Sequence, residues 1–370
     1  MGLQTPILQF GTSRFLQAHA DLFISDAMAA GQAVGPITVV QTSGSAARAG
    51  RLAAFDGRPI PIVVRGLEGG RPVERTEYTR SIVRGLSAAQ HWNEVERIFV
   101  EEAATIISNT GDAGYAMPAD ERLGAGVPAS FPAKLTRLLD ARFRRNGRPL
   151  TLLPCELVPS NGVVLRGLIE DIAARSGLGE GFVAWLREKC VFGNSLVDRI
   201  VSGAIEPAGA IAEPYALWAI EKQPGLAPPC IHPAVRMVDD LRVTERLKLF
   251  VLNLGHTCLA ERWIVEKRRD DETVREILAD PEMRAWLDAI YDEEVIPVLL
   301  AAGIAEAPAY RDTVIERFSN PFLEHRLRDI ADSHATKKER RFGGIIRLAS
   351  EVAPAMKLPR LGAMLGSGVK

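Results

Sequence analysis

Apolar and polar positions follow two different patterns along this chain, and the change between them falls about two thirds of the way through. At the amino end, the apolar run Pro6 to Phe10 stops at Gly11, after which Phe15, Ala18, Leu22, Phe23, Ala27 and Ala30 recur with helical spacing. This order predicts a strand, a tight turn and a helix over Phe15 to Ala30. A second strand, Ile37 to Val40, follows the breaker pair Gly35-Pro36 and completes the βαβ opening of a parallel sheet. Further strand-like runs at Ile60 to Val64, Thr105 to Ser108, Leu150 to Leu153 and Cys190 to Phe192 interleave with helical patterns at Ala133 to Phe143, Val163 to Ala174 and Phe182 to Glu188. Two of these helices run out near Gly147 and Gly177, as helix stops do. The expectation is an α/β, doubly wound, mainly parallel sheet with helices on both faces.

Beyond about Asp240 the strand-like runs cease. Helical patterns cover Thr244 to Ile264, Thr273 to Leu278, Met283 to Leu300, Phe322 to Ile330 and Lys337 to Val352. The segment Gln223 to Pro233, rich in proline and glycine, is the natural connection, although a loop within the first domain would read the same way. A chain of 370 residues exceeds what one hydrophobic core supports. Two domains are expected: residues 1–240, which bind a dinucleotide, and an all-helical part, residues 241–370.

Composition narrows the function. Net charge is −1, and basic residues are scattered apart from short tracts around Arg142 to Arg148 and Lys337 to Arg341. A nucleic-acid partner would require a larger one-signed face. The opening MGLQTPILQF has no basic n-region before an apolar stretch, and no uncharged apolar run of about 18 residues follows. The expectations are a cytoplasmic protein, no membrane partner, and a monomer or homodimer. The four cysteines form no CxxC pair and the six histidines no HxxxH or HExxH pattern, so no metal site is expected.

Candidate chemistry begins at the first turn, Gly11-Thr12-Ser13-Arg14-Phe15. Parallel sheets bind nucleotide phosphates at such a turn, because glycine admits a close backbone approach. Here GxS stands for GxG and Leu16 for the third glycine, so an ordinary tight turn is an equal alternative. After the second strand come Gln41-Thr42-Ser43, where a carboxylate would ordinarily select NAD, with Arg48 further on. Leu247 to Ala260 is apolar almost all round, interrupted by Lys248, Asn253, His256 and Thr257. Lysine on a buried helix is a candidate for a depressed pKa and for proton transfer. At ~100° per residue, Lys248, Asn253 and His256 share one broad face, and Gly255 would let a ligand approach the backbone. The plain alternative is that Lys248 snorkels to solvent and His256 is a satisfied core histidine. Asn109-Thr110-Gly111-Asp112-Ala113-Gly114-Tyr115 and Ser195-Leu196-Val197-Asp198-Arg199 each follow a strand, where α/β crevices form. Arg317 precedes what reads as a helix start capped by Asn320.

Taken together, these segments resemble the polyol-specific long-chain dehydrogenase/reductase family, which includes mannitol 2-dehydrogenase, tagaturonate reductase and fructuronate reductase. The most specific match is K-x4-N-x2-H, present as Lys248, Asn253 and His256. FGTSRFLQAH, SNTGDAGY, LPCEL, SLVDRIV, Glu213-Pro214-Tyr215 with Trp218, and Arg317 to Pro321 follow in the family's order. FPAKLTRLLDARF, LPCEL and IYDEEVIPVL look most similar to tagaturonate reductase. Departures are Ser13 in place of glycine, Asp112 in place of glutamate, and Leu157 where mannitol dehydrogenases carry a substrate-binding asparagine. The chain is also shorter than the usual sugar-acid reductases of the family.

The resemblance implies a Rossmann-like domain followed by a helical one, and an NAD-dependent, metal-independent oxidoreductase acting on a sugar acid, with NADP still open. It implies a cofactor held by Gly11, Thr12, Ser13, Arg14, Phe15, Gln41, Asn109, Thr110, Asp112 and Asp198. It makes Lys248 the general acid/base, Asn253 and His256 the carbonyl-oxygen donors, and Asp198, Arg317 and Lys337 further substrate contacts; Lys338 is an equal match to Lys337. Within the same class the alternative substrate is a neutral alditol, and outside it the alternative is a nucleotide-sensing protein without catalysis.

Overall fold

The computed structural model describes residues 4–43, 49–111 and 114–366. The chain divides into two compact units, one comprising Met1–Val64 with Arg75–Leu241 and the other Arg65–Glu74 with Arg242–Lys370. Among the described residues no helix is long and apolar enough to cross a membrane.

The strands, in chain order, are β1 (Ile7–Phe10), β2 (Ile37–Gln41), β3 (Ile60–Glu68), β4 (Arg71–Thr79), β5 (Ile82–Ser87), β6 (Thr105–Ser108), β7 (Leu150–Pro154), β8 (Cys190–Phe192), β9 (Ser195–Asp198), β10 (Val201–Ala204), β11 (Ala210–Ala212), β12 (Leu217–Glu221) and β13 (Val235–Val238). Six of them form one sheet in the order β5-β2-β1-β6-β7-β8, and every neighbouring pair is parallel. Numbered within that sheet alone the order is 3-2-1-4-5-6, the dinucleotide-binding arrangement of a Rossmann fold. Its strands are buried on both faces. Leu8, Phe10, Ile106 and Leu152 face one apolar cluster, whereas Ile7, Ile107 and Leu153 face the other. Double burial is why these strands read as unbroken apolar runs.

Two expectations about this unit differ from what is found. Ile60 to Val64 is a strand, but it belongs to a separate four-stranded sheet, β10-β11-β3-β4. The third place in the parallel sheet falls to β5, whose run is broken by Arg84 and Gly85. Gly85 is needed there, since a Cβ would lie 2.6 Å from the Leu52 carbonyl oxygen. The helix foreseen over Phe15 to Ala30 is two helices, Arg14–Gln17 and Ala20–Ala29. His19 breaks it with φ −131° and ψ −106°, and its ring reaches the Leu217 carbonyl at 2.9 Å while stacking on Phe15 at 4.7 Å.

The second unit is helical but for the hairpin tip around Gly69-Gly70, whose φ values of 59° and 75° suit a primed two-residue turn. Three of its helices contain a π-helical segment: Lys248–Asn253 between Leu241–Leu247 and Leu254–Val265, Tyr291–Val295 between Pro281–Ile290 and Ile296–Ala301, and Glu339–Gly343 between His334–Lys338 and Gly344–Val352. Phe250, Val251, Tyr291, Val295 and Phe342 from these segments meet in one core. No helix starts at Asn320. The helix Ala307–Phe318 ends just before it, and Asn320 Oδ1 accepts from Phe322 N at 2.9 Å in a local turn, with helix resuming only at Leu327–Ile330.

Candidate active site

In an open α/β sheet, ligands bind outside the carboxyl ends of the strands, at the point where strand order reverses. That point here lies between β1 and β6, which pair with Phe10 opposite Ser108. The chain leaves β1 through Gly11, whose φ of 116° and crowded environment both demand glycine, because a Cβ would stand 2.3 Å from the Asn109 carbonyl oxygen. The two loops are then tied by side chains. Ser13 Oγ donates to Asn109 Oδ1 at 3.3 Å, and Asn109 Nδ2 donates to the Cys155 carbonyl at 2.7 Å.

Residues 11–14, 41–43, 51 and 109–111 line a crevice of about 320 Å³ at these strand ends. It brings together Gly11, Thr12, Ser13, Arg14, Gln41, Asn109 and Thr110 from the residues foreseen for the cofactor. Phe15 is not part of its lining and packs on His19 instead. Asp198, buried at the end of β9 opposite Leu217, does not line it either. Asp112 and Arg48 lie outside the described residues. Arg14 also holds a neighbouring turn, donating to the Ile205 and Gly209 carbonyls at 2.8 and 2.5 Å.

One residue of this crevice and one behind its wall carry no role that the sequence alone assigns. Arg51 lines it and donates to the Thr12 carbonyl at 2.9 Å. Glu156, buried below, accepts from Ser108 Oγ at 2.9 Å and from both the N–H and the hydroxyl of Thr110 at 3.0 Å. Burial pushes its carboxyl above the usual range, and these donors pull it back. LPCEL contains this glutamate, but only the fold places it beneath the loop after β6.

In the helical unit, Lys248 opens a π-helical segment and Asn253 closes it, with His256 the third residue of the α-helix that follows. Five α-helical residues would rotate Asn253 about 140° away from Lys248, whereas the i→i+5 bonding of a π turn brings residues five apart nearly into line. Lys248 and Asn253 are half-buried and His256 is 7% exposed. His256 Nε2 is buried with no hydrogen-bond partner among the described residues. Its ring lies 4.4 Å from Phe318 and 4.7 Å from His325. Desolvation first, then His325, Arg317, Arg341 and Lys337, hold its pKa well below 6.5, so the imidazole is neutral. Gly255 serves packing rather than a ligand: a Cβ there would fall 1.9 Å from Tyr291 Oη, which donates to the Val251 carbonyl at 2.8 Å.

Arg317 is buried near the end of Ala307–Phe318. The two adjacent lysines part company. Lys338 is buried and reaches Glu261 Oε1 at 3.0 Å, beside His334, whose Nε2 lies 2.7 Å from Glu261 Oε2. Lys337 stays half-buried with Nζ on the Ile330 carbonyl at 2.9 Å and belongs to the charges acting on His256.

Comparison with known proteins agrees with this architecture. The mannitol dehydrogenase Rossmann domain model matches residues 72–229, and the mannitol dehydrogenase C-terminal domain model matches residues 240–368. An altronate oxidoreductase of Bacillus subtilis (strain 168) is 31% identical over 350 residues, covering 88% of this chain and 71% of its own. Among solved structures, a D-sorbitol dehydrogenase in substrate-free form superposes with a TM-score of 0.82 at 23% identity, covering 98% of this chain and 80% of its own. The mannitol 2-dehydrogenase of Pseudomonas fluorescens, in ternary complex with NAD and D-mannitol, gives 0.74 at 20% identity, covering 98% and 78%. The chain belongs to the mannitol dehydrogenase family. It is accordingly a dehydrogenase/reductase of CH–OH groups.

Proposed function

We propose that this enzyme interconverts a secondary alcohol and a ketone on an aldonate-type sugar acid, using NAD, with NADP tolerated. The observation that carries the proposal is the buried, unpartnered Nε2 of His256 on the same helix as Lys248 and Asn253, ringed by the cations Arg317, Lys337 and Arg341. A carboxylate-bearing substrate suits that charge. The sugar acid in the name of the altronate oxidoreductases supports the same reading.

The crevice at Gly11 fits a dinucleotide. Glycine leaves the space a side chain would fill, arginines 14 and 51 line it, and no carboxylate stands among its described lining residues. Lack of such a carboxylate removes the group that would reject a 2′-phosphate, hence the tolerance of NADP. When bound, the nicotinamide supplies the hydride acceptor for oxidation and the donor for reduction. During oxidation, Lys248 takes the hydroxyl proton as the carbinol hydrogen departs as hydride and the C=O bond forms. Asn253 and the neutral His256 donate to the oxygen as charge develops on it, and one preorganised donor of this kind is worth about 2.7 to 4 kcal/mol. Asp198 is assigned a supporting contact to substrate or cofactor.

A panel of aldonates and the corresponding alditols, assayed with NAD and NADP through reduced-nicotinamide absorbance, tests the substrate class. Turnover is expected on aldonates, altronate first among them. Strict preference for alditols would replace the sugar acid by a neutral polyol, and no turnover on any member would leave only nucleotide binding.

A further inference from the structure

Arg341 sits on the π-helical segment Glu339–Gly343, in a run of charge, KKERR, that reads as a solvated helix face. The fold turns it inward. One of its terminal nitrogens, Nη1, donates to the Asn253 carbonyl at 3.1 Å and to Thr257 Oγ1 at 2.5 Å, which anchors the guanidinium against the helix that carries Asn253 and His256. Thr257 Oγ1 in turn donates to the Asn253 carbonyl at 3.1 Å, so the anchor point is itself fixed. Nε and Nη2 make no hydrogen bond to any described residue, and no described carboxylate lies within ion-pair distance of Arg341. An arginine taken partly out of water without a carboxylate costs free energy unless something else supplies the negative charge.

The surroundings deepen that deficit. Burial, with Arg340 beside it, pulls the Arg341 guanidinium down to about 10. Lys337, one helical turn earlier, is lowered by burial and by Arg341 against the opposing Asp332 carboxylate, and its Nζ donates to the Ile330 carbonyl. Both act on His256, whose Nε2 has no hydrogen-bond partner among the described residues. The buried Lys338, next to Lys337 in the chain, is by contrast paired with Glu261. Lys338 is thus matched by a carboxylate at hydrogen-bond distance, whereas Arg341 meets only a carbonyl and a hydroxyl among the described residues.

Resting on the sugar-acid reading above, we propose that Arg341, with Lys337 beside it, binds the substrate carboxylate and is a specificity-determining residue of this enzyme. One nitrogen holds the helix and the remaining guanidinium edge is left for a bidentate pair with a carboxylate, a geometry that an ammonium group cannot reproduce. The carboxylate then fixes the distance of the oxidised carbinol from Lys248, Asn253 and His256.

The test compares altronate with altronamide, the same skeleton with a neutral amide, in the wild type, Arg341→Gln and Arg341→Lys. In Arg341→Gln the altronate-to-altronamide ratio of kcat/KM is expected to fall by about 30- to 100-fold, with the altronate loss carried mainly by KM. Arg341→Lys, which keeps the charge, is expected to recover part of that ratio. The ratio is independent of how much protein is correctly folded. An unchanged ratio, or equal losses on both substrates, would reduce Arg341 to a support for Asn253 and overturn the proposal. A wild-type enzyme that does not distinguish acid from amide would instead defeat the sugar-acid reading itself.

Discussion

Lys248→Ala is expected to lower kcat/KM by about 10²- to 10⁴-fold, the range that a positioned general acid or base contributes. The residue begins the π-helical segment whose geometry brings it toward Asn253, and it is half-buried there. Because Lys248 lies outside the crevice at Gly11, cofactor affinity by fluorescence titration and the thermal midpoint should stay near the wild-type values. Small primary amines added to the variant should restore part of the lost rate, since they replace a proton acceptor. Loss of cofactor binding in parallel with turnover would place Lys248 in the fold rather than in the chemistry.

Lys338→Ala should act in the opposite way, on stability. Its ammonium and the Glu261 carboxylate are 6% and 4% exposed as side chains, with His334 completing the group. Removing Lys338 takes the ammonium from a buried carboxylate that keeps His334, and up to about 3 kcal/mol should be lost, read as a lowered denaturation midpoint of the helical unit. Replacing both partners by uncharged groups, as in Glu261→Gln with Lys338→Met, should recover most of that loss, because the desolvation cost leaves with the charges. Lys337→Ala should leave the midpoint within about 1 kcal/mol, as expected for a half-buried side chain without an ion pair among the described residues. Equal destabilisation by the two alanine variants would erase the distinction between these neighbours.

The parallel sheet was legible because double burial writes strands as continuous apolar runs, and β1, β2, β6, β7 and β8 all carry that signature. β5 escaped since Arg84 and Gly85 dilute it, and β10 and β13 because exposed positions break their apolar runs. The break at His19 was illegible for another reason: Ala18, Leu22 and Phe23 keep helical spacing across it, while the cause is a ring bound to a distant strand. The π segments hide in the same way, one widened turn scarcely disturbing the hydrophobic period. At the site, K-x4-N-x2-H stood out as polar residues on an apolar helix, and the structure sets its members along one helix. Glu156 and Arg341 were visible as residues but not as functions. A glutamate in LPCEL and an arginine in KKERR acquire meaning only from the loop after β6 and the Asn253 carbonyl that each meets.

Transfer of a labelled hydrogen tests the central claim most directly. With altronate carrying deuterium on the carbinol carbon that is oxidised, one deuterium per turnover should appear on the nicotinamide ring, and a primary isotope effect should be seen whenever that transfer limits the rate. Deuterium retained in the product, or released to water with no reduced nicotinamide formed, would contradict hydride transfer by this enzyme.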